Sequence, residues 1–305
     1  MKQTFSRTVV CLAAILVLAL ATDALAWGPA THVKFASEIL LQHLWMLPAS
    51  LAALIARNRK FFVYGNVATD TVFAKKMSKV KQVCHRWSTG FSLLEKAESD
   101  AGRAFAYGYL SHLAADTVAH NKFLPRQMAV SRSTVSFGHL YWEIRADARV
   151  EGPYWNQLRR SLRGSYPESE SLLQAHLQRT LLSYKTNRVL FKRMNLLASE
   201  KSWRRSVDFW ERLSRHPLDA EIVASYHAES IGRILDLLRK GQESMVVHED
   251  PNGNSALAYA RAQRRQLRQM SRAGIPCTHV IHEATCCHAP MLLEKYVGAG
   301  DGAPA

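Results

Sequence analysis

Residues 104–120 read AFAYGYLSHLAADTVAH, an apolar segment in which His112, Asp116 and His120 recur at four-residue steps. Four residues is close to one turn of an α-helix, so a helix here would stack the three polar side chains on one face. Buried imidazoles and carboxylates are costly among apolar side chains unless they are paired or bind metal. The segment therefore predicts a buried helix that carries metal ligands.

A second pair with the same spacing, His139 and Glu143, follows in the string HLYWE. Further residues of types that bind zinc through nitrogen or oxygen precede the first helix: His32, Asp70 and His85. A single histidine on an apolar helix is more often a core residue, but stacked sets on two helices favour metal. Two such helices facing each other can hold metal between them.

The rest of the chain is also helical in pattern. Apolar residues recur at helical spacing in 33–44, 172–182, 207–213 and 222–238, and alternating strand patterns are scarce. Turn signals such as Gly152-Pro153 and Pro251-Asn252-Gly253 separate these segments. The sequence predicts an all-α fold: a single multi-helix domain with a metal cluster between helices.

The first 26 residues have the layout of a cleavable signal peptide. Lys2 and Arg7 precede an uncharged apolar run at 9–21, and Ala24-Leu25-Ala26 stands just before Trp27. The run is shorter than the roughly 20 residues that span a bilayer. We expect residues 1–26 to be removed, the mature chain to begin at Trp27, and the protein to be exported, periplasmic or secreted, with no transmembrane segment after cleavage.

The mature chain is strongly basic. Two basic residues and one acidic residue leave with the signal peptide, so the net charge falls from +15 to +14. Such a surface attracts nucleic acid, anionic lipid headgroups and phosphate esters, although a merely soluble basic protein has the same charge. Basic residues cluster at 159–163 and 261–268. We therefore expect one domain, 27–290, with a metal-binding part, 27–155, and a basic helical part, 156–290. The composition of residues 291–305 predicts a disordered tail.

Two further groups of residues leave alternatives open. Cys84, Cys277, Cys286 and Cys287 remain in the mature chain, and export permits disulfides among them in three pairings that the sequence does not separate. The histidines near the last three cysteines fit no zinc motif cleanly, so a disulfide or a disordered tail is favoured over a second metal site. Trp203, Phe209 and Trp210 lie among arginines, which indicates core packing, a membrane-surface patch or a nucleic-acid stacking patch.

The order of the ligand strings resembles the zinc-dependent phospholipase C family. It is also similar to the single-strand-specific trinuclear zinc nucleases. The resemblance rests on strings that share residue types and order: Trp27 with His32, YGNVATD ending at Asp70, CHRW containing His85, SHLAAD with His120, and HLYWE. It covers roughly residues 27–143. Glu143 is typical of the phospholipases, whereas the Trp27 to His32 spacing is that of the nucleases.

The resemblance implies three zinc ions and a role for each ligand. Trp27, through its own amine and carbonyl, would hold one ion with His32 and Asp116. His85, His112 and Asp116 with Asp70 would hold a second, so that Asp116 bridges the pair. His120, His139 and Glu143 would hold the third. A free amine at Trp27 exists only after cleavage, and its ordinary pKa near 8 makes the neutral, metal-binding form accessible at neutral pH.

The resemblance also implies the chemistry. We expect a phosphodiester hydrolase of the phospholipase C type that uses zinc-bound hydroxide to attack phosphorus, with Asp70 orienting or deprotonating the attacking water. The substrate would be a phospholipid or another phosphodiester, with peripheral contact to a membrane surface. The net charge favours a nuclease with nucleic acid as substrate, and a non-catalytic exported zinc-binding protein is a third alternative.

Overall fold

The computed structural model describes residues 27–72, 83–130, 135–177, 182–197 and 218–274. Side chains are described throughout these ranges except at 129–140 and 197. Every regular element in these ranges is helical. The α-helices, in chain order, are α1 Pro29–Glu38, α2 Ala49–Arg57, α3 Arg59–Ala68, α4 Trp87–Glu95, α5 Asp100–Val118, α6 Leu124–Val130, α7 Val135–Asp147, α8 Gly152–Arg163, α9 Pro167–His176, α10 Tyr184–Leu197, α11 Ala220–Lys240 and α12 Asn254–Arg272. The predicted all-α fold is confirmed.

Helix α5 is the central helix, and its sequence explains why. Its residues from Tyr109 to Val118 are all buried, on every face, as expected for a helix enclosed by other helices. Helices α3, α4 and α11 pack around it. At its amino terminus the hydroxyl oxygen of Ser99 accepts a hydrogen bond from the backbone N–H of Gly102 at 3.0 Å, which caps the helix.

Two glycines let α3 and α5 approach backbone to backbone. A Cβ at Gly65 would lie 2.1 Å from the carbonyl oxygen of Phe105, and one at Gly108 would lie 2.1 Å from that of Phe62. Only glycine fits at both positions without moving a backbone. The close crossing brings the carboxyl end of α3 alongside the ligand-bearing part of α5.

Asp147, at the end of α7, holds the start of α1. Its carboxylate accepts hydrogen bonds from the backbone N–H of Thr31 at 2.7 Å and from the Thr31 hydroxyl at 2.9 Å. These bonds satisfy groups in the first turn of α1, where backbone N–H groups have no partner within the helix and negative charge is favourable. The contact fixes the helix that carries His32.

Trp27 packs against helix α11 and Phe123. The Trp27 indole N–H donates to the Ser230 hydroxyl at 3.2 Å, Phe123 stacks on the indole with 4.8 Å between centroids, and His227 meets it edge-on at 4.9 Å. Trp27 is fully buried. The basic helical part therefore packs directly on the first residue of the expected mature chain.

The helix predicted at 222–238 is confirmed within α11, but two other segments predicted from periodicity end earlier than expected. The helix predicted at 33–44 leaves the α conformation after Glu38, where a π-helical turn, Ile39–His43, and a 3-10 turn, Leu44–Met46, follow. The helix predicted at 172–182 ends at His176. None of the helices in the described ranges is both long enough and apolar enough to cross a membrane.

Several predictions concern residues outside the described ranges. They are the signal peptide 1–26, the patch with Trp203, Phe209 and Trp210, the cysteines Cys277, Cys286 and Cys287, and the tail 291–305. These remain predictions.

Candidate metal centre

Five of the residues predicted to bind zinc converge in the interior. His32 lies on α1, Asp70 on the 3-10 turn Thr69–Thr71 that follows α3, His85 on the 3-10 turn Val83–His85 before α4, and His112 and Asp116 on α5. Each is at most 3% exposed. Residues more than eighty positions apart in the sequence thus share one buried polar cluster.

The side-chain atoms of the cluster have the spacing of metal ligands. Asp116 is central: its Oδ1 lies 3.3 Å from His32 Nε2, and its Oδ2 lies 3.1 Å from the Nε2 atoms of both His85 and His112. Asp70 Oδ1 lies 3.3 Å from His85 Nε2. Tetrahedral zinc with bonds of about 2.0 Å separates its ligand atoms by roughly 3.3 Å. The distances therefore match a set of atoms around zinc.

Unsatisfied polar atoms also indicate a metal. Within the described part of the chain, both ring nitrogens of His32 and both carboxylate oxygens of Asp116 are buried and have no partner in hydrogen-bond geometry. Buried groups of this kind are normally hydrogen-bonded, and each unsatisfied one is destabilising. Coordination would satisfy His32 Nε2 and the two oxygens at once. The residues present fit zinc.

The protonation states suit zinc as well. Burial lowers the pKa of His32, and His112 lowers it further, so its imidazole is neutral at pH 7. Burial would raise the pKa of Asp116, but the imidazoles of His112, His32 and His85 outweigh it and hold that pKa well below its usual range. A neutral imidazole and an ionised carboxylate are the forms that bind zinc.

Backbone carbonyls orient two of the histidines. His112 Nδ1 lies 2.8 Å from the carbonyl oxygen of Asn66 on α3, and His120 Nδ1 lies 2.6 Å from that of Pro251. A carbonyl oxygen can only accept, so Nδ1 carries the proton in each ring and Nε2 is left as the ligand atom. In His112 this Nε2 faces Asp116, Asp70 and His85.

The cluster contains two overlapping groups of three. His32, His112 and Asp116 offer ligand atoms within 4.8 Å of one another, and so do Asp70, His85 and His112. His112 belongs to both groups. The structure thus brings together five of the residues assigned to the first two zinc ions, with Asp116 between His32 and His85. The amine and carbonyl of Trp27 stay predicted ligands.

The residues assigned to the third ion are less completely described. His120 and Glu143 are both buried, at 1% and 4% exposed, and the His139 side chain lies outside the described residues. His120 lies just beyond the carboxyl end of α5, which ends at Val118, on the π-helical turn Ala119–Phe123. The ligand set of the third ion stays a prediction.

Several residues that shape the site carry no signal in the sequence. Asn66 and Pro251 act through backbone oxygens, which any residue type supplies. Ser230 contacts Trp27, and Asp147 contacts Thr31, from more than a hundred positions away. The DPNG string at 250–253 predicts only a turn. No periodicity or motif spacing connects these residues with the ligands.

A comparison with known protein families agrees with this geometry. The zinc dependent phospholipase C family matches residues 31–195, which is 165 of the 305 residues in the chain. The chain belongs to this family. The match includes eight of the nine predicted ligands and leaves out Trp27, α11 and α12. Separate comparisons with curated proteins and with solved structures found no match.

Proposed function

We propose that the protein is an exported zinc-dependent hydrolase of phosphodiesters of the phospholipase C type. The observation that carries the proposal is the buried cluster of His32, Asp70, His85, His112 and Asp116, whose ligand atoms have zinc spacing. Membership of the zinc-dependent phospholipase C family supports the reaction class.

The proposed ligand sets are those that the family resemblance implies. Trp27, His32 and Asp116 would hold one ion; Asp70, His85, His112 and Asp116 a second; and His120, His139 and Glu143 a third. Bound zinc supplies positive charge that stabilises the phosphate oxygens and lowers the pKa of water.

The protein residues have separate tasks in this proposal. Asp116 joins the first two sets because its two oxygens face His32 on one side and His85 with His112 on the other. Asp70 contacts the cluster through one oxygen, 3.3 Å from His85 Nε2. A carboxylate held this way can orient the attacking water and accept its proton, which is the catalytic role we assign to it.

Export is part of the proposal because Trp27 must carry a free amine. The buried, hydrogen-bonded indole supports this role, since it fixes the residue from which the amine would reach the metal. The signal-peptide layout of residues 1–26 provides the means of exposing that amine.

The second candidate is a nuclease that acts on single-stranded nucleic acid. The net charge of +14 after cleavage favours it, and the basic residues at 159–163 and 261–268 lie on α8 and α12. The assay that separates the two uses the mature protein with phosphatidylcholine vesicles and with single-stranded DNA under one buffer condition. Hydrolysis of phosphatidylcholine that stops when the zinc is chelated is the expected result. Cleavage of DNA alone would favour the nuclease, and zinc content with neither activity would favour a non-catalytic zinc-binding protein.

A further inference from the structure

The turn Asp250–Gly253 joins two predicted ligands of different zinc ions. The carbonyl oxygen of Pro251 accepts from His120 Nδ1 at 2.6 Å. The Asn252 side-chain amide donates to the carbonyl oxygen of His85 at 2.8 Å. His85 is assigned to the second ion and His120 to the third. The turn therefore contacts the backbone that carries one ligand and the ring of the other.

The turn is itself held firmly. The backbone N–H of Gly253 donates to the carbonyl oxygen of Asp250 at 3.1 Å, which closes the turn. The Asp250 carboxylate accepts from the backbone N–H groups of Asn252 at 2.9 Å and Asn254 at 3.0 Å. The Asn121 amide donates to the Asp250 carbonyl at 3.0 Å, and the Trp87 indole donates to the Glu249 carbonyl at 2.8 Å. These bonds tie the turn to α4 and to the π-helical turn that carries His120.

The turn lies directly against the backbone of His120 because Gly253 has no side chain. A Cβ at Gly253 would lie 2.3 Å from the His120 carbonyl oxygen and 2.6 Å from its Cβ. Gly253 also has φ +58°, in the left-handed region that favours glycine. Any larger residue would push the turn and His120 apart.

We propose that the turn Asp250–Gly253 is a positioning element of the metal centre, which sets the orientation of His120 and the place of His85 and so couples the second zinc position to the third. This inference rests on the proposed zinc site. The turn lies outside the residues that match the family, so the basic helical part completes a centre whose predicted ligands all lie in the metal-binding part. Outer partners of this kind typically change metal affinity by about 10- to 100-fold.

The test compares two glycines with positive φ. Gly253 has φ +58° and ψ +32°, in the left-handed region, whereas Gly241 has φ +58° and ψ −126°, where alanine is more strained, and a Cβ at Gly241 would meet nothing within 4 Å. Gly241→Ala therefore introduces backbone strain alone, whereas Gly253→Ala adds the contact with His120. Zinc affinity is measured by competition with a chromophoric chelator, beside thermal unfolding of the same samples.

We expect a loss of thermal stability in both variants and a loss of zinc affinity of about 10-fold or more in Gly253→Ala alone. Equal zinc affinity in the two variants would overturn the proposal. If Gly253→Ala does not fold, Asn252→Ala replaces it, with Asn254→Ala as its control. Both asparagines donate to Asp250, and the bond to the His85 carbonyl comes from Asn252. The same outcomes apply: weaker zinc binding in Asn252→Ala alone supports the proposal, and equal binding overturns it.

Failure of the inference can be told from failure of the proposed function. A wild-type protein that binds no zinc contradicts the zinc site itself. A wild-type protein that binds zinc as tightly as Gly253→Ala does contradicts only the role of the turn.

Discussion

The metal-binding part, 27–155, and the basic helical part, 156–290, reach the same centre by different kinds of contact. All nine predicted ligands belong to the first part. Among the described residues of the second part, His227, Ser230, Pro251 and Asn252 contact a predicted ligand through ring packing, a hydroxyl, a carbonyl and an amide. The predicted ligands recur at helical spacing in the sequence, whereas the residues that contact them from the second part include a backbone carbonyl and follow no such spacing. One part is therefore recognisable by sequence pattern and the other is not.

The largest effects should come from the ligands in the metal-binding part. His112→Ala and Asp116→Ala should each reduce phosphodiester turnover by more than about 100-fold, since losing a ligand costs more than losing an outer partner. Asp116→Ala should also release more zinc, because its two oxygens face the ligands of two ions. Turnover and zinc per chain are measured on the same samples. Full zinc retention by Asp116→Ala would contradict the bridging role.

The contact between the parts at Trp27 gives the next prediction. One residue added before Trp27 turns its amine into an amide, which is a poor zinc ligand at neutral pH. We expect the affinity for the ion it shares with His32 and Asp116 to fall by at least about 10- to 100-fold. The measurement is chelator competition on protein beginning at Trp27 and on protein with Met before Trp27. Equal affinities would make Trp27 a packing residue only.

Within the metal-binding part, the close crossing of α3 and α5 should tolerate no side chain. Gly108→Ala should lower the free energy of unfolding by about 2 to 3 kcal/mol, because its Cβ would lie 2.1 Å from a backbone oxygen and neither helix can yield easily. Gly232→Ala on α11 is the matched control, since a Cβ there meets nothing within 4 Å. It should raise the free energy of unfolding by up to about 1 kcal/mol. Chemical denaturation measures both, and equal shifts would contradict the packing argument.

How far the sequence reaches can be seen at His112 and His120. The four-residue spacing predicted that His112 and Asp116 share a helical face, and they do, with 3.1 Å between ligand atoms. The same spacing predicted His120 on one continuous α-helix, but the α-helix gives way to a π-helical turn before His120. The spacing of polar residues does not show where the hydrogen-bond pattern of a helix changes. Contacts such as Asp147 with Thr31 depend on the packing of distant helices, which periodicity does not encode.

The Asp147 contact predicts a smaller, pH-dependent effect. Burial raises the pKa of Asp147 to about 6, although hydrogen bonds from Thr31 oppose the change. The folded state thus binds this proton more tightly than the unfolded chain, whose carboxyl has its ordinary pKa near 4. The stability it contributes is present below pH about 4 and is lost as the pH rises through about 6.

Asp147→Asn, which does not titrate, isolates this effect. The free energy of unfolding of the wild type minus that of Asp147→Asn should fall by about 2 kcal/mol between pH 4 and pH 6. Denaturation at several pH values, with zinc chelated in both proteins, gives the difference. A difference that does not change with pH would show that the carboxyl keeps its ordinary pKa in the folded state.

Whether the buried cluster around Asp116 holds zinc can be measured by metal analysis of purified protein that begins at Trp27. We predict three zinc ions per chain. We also predict a loss of bound zinc in His112→Ala and Asp116→Ala, which would assign zinc to this cluster. A folded wild-type protein that contains no zinc and takes up none when zinc is supplied would contradict the account.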